Sequence, residues 1–326
     1  MRKRLLGGFR IAVGLAVAVL LAPQAACAEE IVATHYGALL TSAPIAVAME
    51  RGEFAKRGVD ITAVISTAGG ATAMRNMFAG KIPYAEVATA AALAAIKEGY
   101  DVKIVNAAAR SVDDLVWVTM PNSGIKSIKD LVGKKVGITN PKSMSETTAN
   151  MAFEAAGFKA GQYQLIATGS VAGGLTALEQ GGVDAALMNE PLYTARRDRY
   201  RIAFDAHALP PMTQTVGVST GEYAKLQPDK LRAIIAARRA AVDFIYAQPE
   251  EAAKLIAKRY GDTLPLTVAI PAVKRMVEMN YWSRGNFEMA GLNAMTKALE
   301  RQGELSGSVD WEKVLDRSYL PEDLRN

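Results

Sequence analysis

Short apolar runs alternate with helical periodicity from Ile31 to about Ser219, the pattern of βα units and mainly parallel sheets. Strands are predicted over 31–36, 59–65, 84–88, 102–108, 115–120, 135–139, 163–167, 183–188 and 201–204, with one more over 213–219. Caps mark helix starts between them: Ser42 ahead of Pro44, Ser127 ahead of Asp130, Ser143 ahead of Glu146, and Ser170. Ser143-Met144-Ser145-Glu146 has capping-box spacing, with Glu146 at the third helical position. From Glu222 onward the strand patterns stop. Leu231, Ile234, Ile235, Ala241, Val242 and Ile245 keep a helical period across 228–247, and Pro249 opens a helix that ends at Tyr260-Gly261. Two further helices are predicted near 267–280 and 287–302.

One unit of this pattern occurs twice. The stretch 67–90 is echoed by 168–191 at a constant offset of 101 residues. Thr67-Ala68-Gly69-Gly70-Ala71 becomes Thr168-Gly169-Ser170-Val171-Ala172, Met74 and Met77 become Leu175 and Leu178, and Thr89 becomes Glu190. Each copy predicts a small polar loop, a helix, a glycine stop, a short apolar strand and another helix start. Two such units face to face aim four helix N-termini at one cleft.

The echo separates the chain into lobes at about residue 110. The first crossing is expected over 110–115, and the second near 205–212, where His207, Pro210 and Pro211 interrupt regular structure. The expected fold is therefore α/β: two Rossmann-like lobes with mainly parallel sheets, joined by a two-strand hinge. Lobe 1 comprises 29–110 plus 212–326 and carries a helical C-terminal block; lobe 2 comprises 111–211.

Residues 1–28 change the composition that matters. Met1-Arg2-Lys3-Arg4, an apolar run from Ile11 to Leu21, and Ala26-Cys27-Ala28 form a signal peptide with cleavage expected after Ala28. The apolar run is shorter than the ~20 residues a span needs, so an exported, soluble, periplasmic protein is expected. Gln24 stands where a lipoprotein signal has an aliphatic residue, which disfavours acylation at Cys27. Cleavage removes the single cysteine, leaving no disulfide and no thiolate metal ligand. It also removes Arg2, Lys3, Arg4 and Arg10 from 38 basic residues, leaving 34 against 33 acidic ones. No basic stripe interleaved with aromatics argues for nucleic acid.

Catalysis is poorly supplied. His35 and His207 are the only histidines, no Gly-x-Ser-x-Gly elbow occurs, and no spacing matches a metal motif, so neither catalytic residues nor a metal or cofactor are expected. The sharper candidates are ligand contacts. Gly69 and Gly70, between Thr67 and Ala71, allow backbone N–H groups to approach an anion at a helix start, and Thr168 and Ser170 repeat the loop. Strand carboxyl ends are where α/β sheets bind ligands, which adds Thr89, Ser143, Met144, Ser145 and Glu190, with Lys142 as a charge beside them. Glu146 and Glu190 cut the other way: turned inward, either favours an amine or an N–H donor. His35, Tyr36 and Trp282 are candidates for flat pocket walls, with a core position the alternative for Trp282.

The chain resembles a known group: periplasmic solute-binding proteins of ABC importers, of the sulfonate, taurine, nitrate and thiamine-precursor (NMT1/THI5-like) kind. The likeness runs through nearly the whole mature chain. It rests on the stretch from Ala43-Pro44-Ile45 through Gly52-Glu53-Phe54 to Gly58-Val59-Asp60, and on Gly69-Gly70, Ala79-Gly80-Lys81-Ile82 and Gly182-Val183-Asp184-Ala185. Glu190-Pro191, Pro249-Glu250-Glu251-Ala252-Ala253 and the closing Asp310-Trp311 to Tyr319-Leu320 complete it. The resemblance implies a monomeric two-lobed hinge protein that traps a small, anionic organic solute and delivers it to an inner-membrane permease. By position it places His35, Tyr36, Ser42, the Gly69-Gly70 loop, Thr89, the helix start at Ser143 and Glu190 around the pocket. Sulfonate binders often carry a Gly-Ser/Thr-rich start and a following His at that helix, where this chain has Lys142-Ser143-Met144-Ser145-Glu146. The thiamine-precursor enzymes of this fold use a cysteine-rich segment, which the mature chain lacks. Rival readings are an exported enzyme on the same scaffold, which turnover of the bound solute reveals, and a carrier that docks on a sensor receptor.

Overall fold

The computed structural model describes residues 29–325 except 142 and 160; the leader, Cys27 and Lys142 lie outside the described residues. The chain runs β1 (Glu29–Thr34), α1 (Ala43–Glu50), β2 (Ile61–Thr67), α2 (Gly70–Gly80), β3 (Ala85–Ala88), α3 (Thr89–Lys97), β4 (Val102–Ala109). It continues β5 (Val116–Thr119), β6 (Lys135–Ile138), α4 (Met144–Ala155), β7 (Gln164–Ala167), α5 (Val171–Glu179), β8 (Ala186–Met188), α6 (Leu192–Arg196), β9 (Arg201–Asp205). The last part is β10 (Thr215–Thr220), α7 (Gly221–Leu226), α8 (Pro228–Ala247), α9 (Pro249–Tyr260), α10 (Leu266–Glu278), α11 (Met289–Arg301) and α12 (Trp311–Val314).

The two halves build the same sheet. The first has the order β2-β1-β3-β10-β4, with β2, β1 and β3 parallel and β10 antiparallel to its neighbours. In the second, β8-β5-β9 has β5 antiparallel to both neighbours, and β6 pairs β7 in parallel. A parallel bridge from Val136 to Ala185 joins these pieces into β7-β6-β8-β5-β9. The echo is thus structural: β2-α2-β3 and β7-α5-β8 occupy equivalent places. In each sheet the reversed strand is the first one formed after the chain crosses over, because a strand arriving from the other half enters against the direction of the βα units. Helices cover both faces, which is why β1 is continuously apolar at Ile31, Val32 and Ala33, all wholly buried.

The crossings lie side by side and bond to each other, Ala206 N–H to Leu115 C=O at 3.1 Å and Gln214 N–H to Ala109 C=O at 2.9 Å. The carboxyl end of β3 is tied to the second crossing: Thr89 donates its N–H to Gln214 C=O (3.0 Å) and its hydroxyl to Thr213 C=O (2.7 Å).

The helical tail packs on the first half, α8 and α9 against α1 and α10 against α9. Its anchor is Arg238 of α8, which is 1% exposed. The guanidinium pairs with Glu86 of β3 and donates to Ser283 C=O (2.8 Å) and Ala108 C=O (3.0 Å). Tyr84 donates to Glu86 (3.3 Å) and to the Asn106 side-chain oxygen (3.1 Å) beside them. The segment 281–285 consequently runs antiparallel along the end of β4, with Arg110 N–H on Tyr281 C=O and Ala107 N–H on Gly285 C=O. The block also reaches past the first half: Arg301 pairs with Glu154 at 2.9 Å, and Thr147 bonds Gln302 at 3.0 Å.

Removing one partner of a buried pair strands the other charge. Arg238→Met is expected to cost about 3–5 kcal/mol in urea denaturation, and the double variant with Glu86→Gln to recover most of that loss.

Candidate functional site

The echo-related positions Thr89 and Glu190 end corresponding strands, and the structure brings both to the crossings. Glu190 is fully buried; its carboxylate caps α6 through Thr194 N–H (3.3 Å) and hydroxyl (3.0 Å), and pairs with Arg275 of α10 at 2.9 Å. The Arg275 guanidinium lies 4.3 Å from the centre of the Tyr193 ring. Beside this pair, Asp114 of the first crossing is 2% exposed; its carboxyl meets its own backbone N–H, the Tyr281 hydroxyl and, at 3.5 Å, the Gln214 amide. The Gln214 oxygen in turn accepts from the Tyr281 hydroxyl at 2.7 Å, and Thr41 stands 3.4 Å from that hydroxyl. Burial, and then the neighbouring Glu190, push the Asp114 carboxyl up to about 7, against a partial opposing pull from Arg275. Burial, with Asp114 nearby, likewise holds the Tyr281 hydroxyl well above its usual range.

Two orphaned atoms flank this floor. Ser42 Oγ, next to Thr41, and Asn189 Oδ1, next to Glu190, are buried without a hydrogen-bond partner. Such atoms cost free energy unless a ligand or water meets them. The helix starts around them differ between the halves. Ser170 caps α5 through Gly173 N–H at 3.0 Å and Ser143 caps α4 through Glu146 N–H at 3.4 Å. By contrast, neither Gly69 ahead of α2 nor Ala88 ahead of α3 supplies a side-chain cap. The starts of α2 and α3 in the first half therefore carry no side-chain cap, the Thr89 N–H of α3 being met by Gln214 C=O instead, while α4 and α5 of the second are capped by their own serines. Among the described residues no group of three or more His, Cys, Asp and Glu is placed to hold a metal, and no helix is long and apolar enough to cross a membrane.

Residues 40–252 match the model of the NMT1/THI5-like family. The chain belongs to the NMT1/THI5-like family. Among curated proteins it has no sequence match. Solved structures share the fold of this NMT1/THI5-like chain at low identity. The periplasmic aliphatic sulphonate binding protein of Escherichia coli is 20% identical, with TM-score 0.73 over 89% of this chain and 92% of that one. The alkanesulfonate-binding protein of Xanthomonas axonopodis pv. citri, bound to MOPS, is 16% identical, with TM-score 0.72 over 89% and 98%. The periplasmic nitrate-binding protein of Synechocystis PCC 6803 is 17% identical, with TM-score 0.69 over 91% and 86%.

Within this NMT1/THI5-like frame several expected contacts take other roles. Trp282, 1% exposed, is core: its indole N–H bonds Leu40 and Thr41 carbonyls at 3.0 and 3.2 Å, fixing the loop that leads to Ser42. Tyr36 packs edge-on against Tyr260 of α9 at 5.3 Å. Gly70 is required by packing, since a Cβ there would stand 2.4 Å from Ala91 Cβ, whereas one on Gly69 meets nothing within 4 Å. Gly69 and the exposed Ala71 are thus the accessible part of the α2 start. Thr67 is buried and donates its hydroxyl to Gly69 C=O at 3.3 Å, and Thr168 bonds Ile138 C=O at 2.9 Å, so both brace their loops. Ser145 is buried in a hydroxyl cluster with Ser143 (2.7 Å) and Thr139 (3.0 Å), while Met144 is half-buried. His35 has φ 55° and begins the turn that leaves β1; although the residue is exposed, partial desolvation of its ring holds it below its usual pKa. Asp114, Gln214 and Arg275 have no local sequence signal, because their meaning comes from partners as much as 100 residues away.

Gly70→Ala is expected to lose about 1–3 kcal/mol by overpacking, and Gly69→Ala to remain stable, as thermal melts will show. Asp114 predicts a pH effect of definite sign. Below its ordinary 3.8 both states hold the proton; between 3.8 and about 7 only the folded chain does, so stability falls as pH rises and the full cost remains above 7. That cost is on the order of 4 kcal/mol. Asp114→Asn is expected to flatten the fall between pH 4 and pH 7.5 in denaturation curves (about the span of the two values).

Proposed function

We propose that this protein is the solute-binding component of an ABC importer: a monomer exported to the periplasm, cleaved after Ala28, that traps a small organic solute and presents it to an inner-membrane permease. The carrying observation is the meeting of β3 and β8 at the paired crossings, with Ser42 Oγ and Asn189 Oδ1 orphaned on the two sides. The lobes are 29–110 plus 212–326 and 111–211, and the two crossings are the hinge. Closure replaces water on the open donors with solute, so binding and closing are one linked equilibrium.

The solute is an organic anion whose acidic group rests on the starts of α2 and α3. Gly70 brings those starts together against Ala91, and both lack side-chain caps, so their positive ends reinforce one another. The similar structures named for sulfonates and nitrate support an anion.

Native mass spectrometry of the purified protein, followed by thermal shifts with sulfonates, carboxylates and nitrate, tests this reading. A solute at ~100 times its dissociation constant adds about 2.7 kcal/mol. Absence of any shift across the panel rejects the anion, and turnover of a bound solute rejects the carrier. Gly69→Asp is a sharper probe. The aspartate caps α2 and preserves stability, but places its carboxylate where the solute's acid binds, so affinity is expected to fall at least about tenfold by titration calorimetry.

A further inference from the structure

Two buried carboxylates and one partly exposed guanidinium meet where the chain crosses between its halves, and the three belong to different parts of the molecule. Asp114 lies on the first crossing itself. Glu190 closes β8 of the second sheet, and Arg275 extends from α10, whose continuation at 281–285 is bonded along β4 of the first sheet. The ion pair therefore joins the halves at their pivot. Arg275 neutralises one carboxylate and is already engaged by Glu190, on which Thr194 also converges. Asp114 is left with its own backbone N–H, the long Gln214 contact and the Tyr281 hydroxyl, itself committed to Gln214, and with no cation of its own.

We propose that Asp114 is a proton-operated lock on the hinge: the halves close fully only while Asp114 carries a proton, and they reopen when it is released. A second buried anion beside Glu190 raises both desolvation and like-charge repulsion, and opening the crossings to water relieves both. The proton is taken from solvent and returned to it. This rests on the hinge reading above, but not on the identity of the solute. The groups facing Asp114 are Glu190 after β8, Arg275 on α10, Gln214 on the second crossing and Tyr281 after α10. Its chain neighbour Asp113 faces His207 across the outer side of the crossings at 3.7 Å, but that imidazole is 83% exposed and therefore screened. The folded value of about 7 for Asp114 puts the transition in an accessible range.

The test uses spin labels on Thr72→Cys and Ala172→Cys, exposed positions on α2 and α5, in a Cys27→Ala background, so that pulsed-resonance distances report the opening of the halves. Without solute, the label separation is expected to lengthen as pH rises from about 5.5 to about 8.5, spanning the proposed titration. With Asp114→Asn it should stay at the short, acid value, and with His207→Gln it should follow the parent. A parent distance that ignores pH overturns the lock. So does a pH response that survives Asp114→Asn or vanishes with His207→Gln. Once a solute is identified, its dissociation constant is expected to weaken up to about tenfold per pH unit above the transition in the parent and to stay level in Asp114→Asn. Failure of every panel solute to bind counts against the transport reading and leaves the solute-free distances to decide the lock.

Discussion

The guanidinium of Arg238, buried among Glu86, Ala108 and Ser283, is the contact on which the remaining geometry depends. An arginine cannot shed its charge to suit an apolar interior, so the fold must surround it with acceptors. Doing so draws three separate stretches together: β3, the end of β4, and the tail at 281–285. Once that tail is laid along β4, Tyr281 faces Gln214 and Trp282 holds the Leu40–Thr41 carbonyls. The same placement sets α10 so that Arg275 reaches Glu190 in the other half. A single satisfied charge in the first half thus positions the ion pair that bridges to the second.

The two βα units share a frame and differ in how they finish it. In the second, Ser143 and Ser170 cap their own helices; in the first, Gly69 and Ala88 supply no side-chain cap. Duplication provides the common frame, and the capping of the helix starts is where the copies differ. The cluster of Asp114, Glu190 and Arg275 lies where the chain passes between the two sheets.

The alternation of apolar runs was enough to locate the strands, because a strand covered on both faces has no polar alternative at positions such as Ile31 to Ala33. Most caps were legible for a similar local reason, as where Ser127 and Asp130 complete their box within four residues; Ser42, expected to cap α1, stands at its start without a cap bond. Site chemistry was less legible. Gly70 looks like a ligand loop in one dimension, yet its small size is spent on Ala91. Trp282 looks like a pocket aromatic, yet its indole serves a loop some 240 residues away. Asp114 and Arg275 carry no motif at all.

By itself the sequence determined the order of elements, the repeated unit and its offset, the places where the chain changes sheets, and the family resemblance that comparison with known proteins upheld. Those features depend on periodicity and on residues within a turn or two of one another. Only the tertiary structure decided which strand in each sheet runs backward, which helix starts remain open, and that Glu190 serves Arg275. Those outcomes depend on desolvation and on partners brought from distant segments, and a buried charge acquires its role only when the fold has chosen what surrounds it.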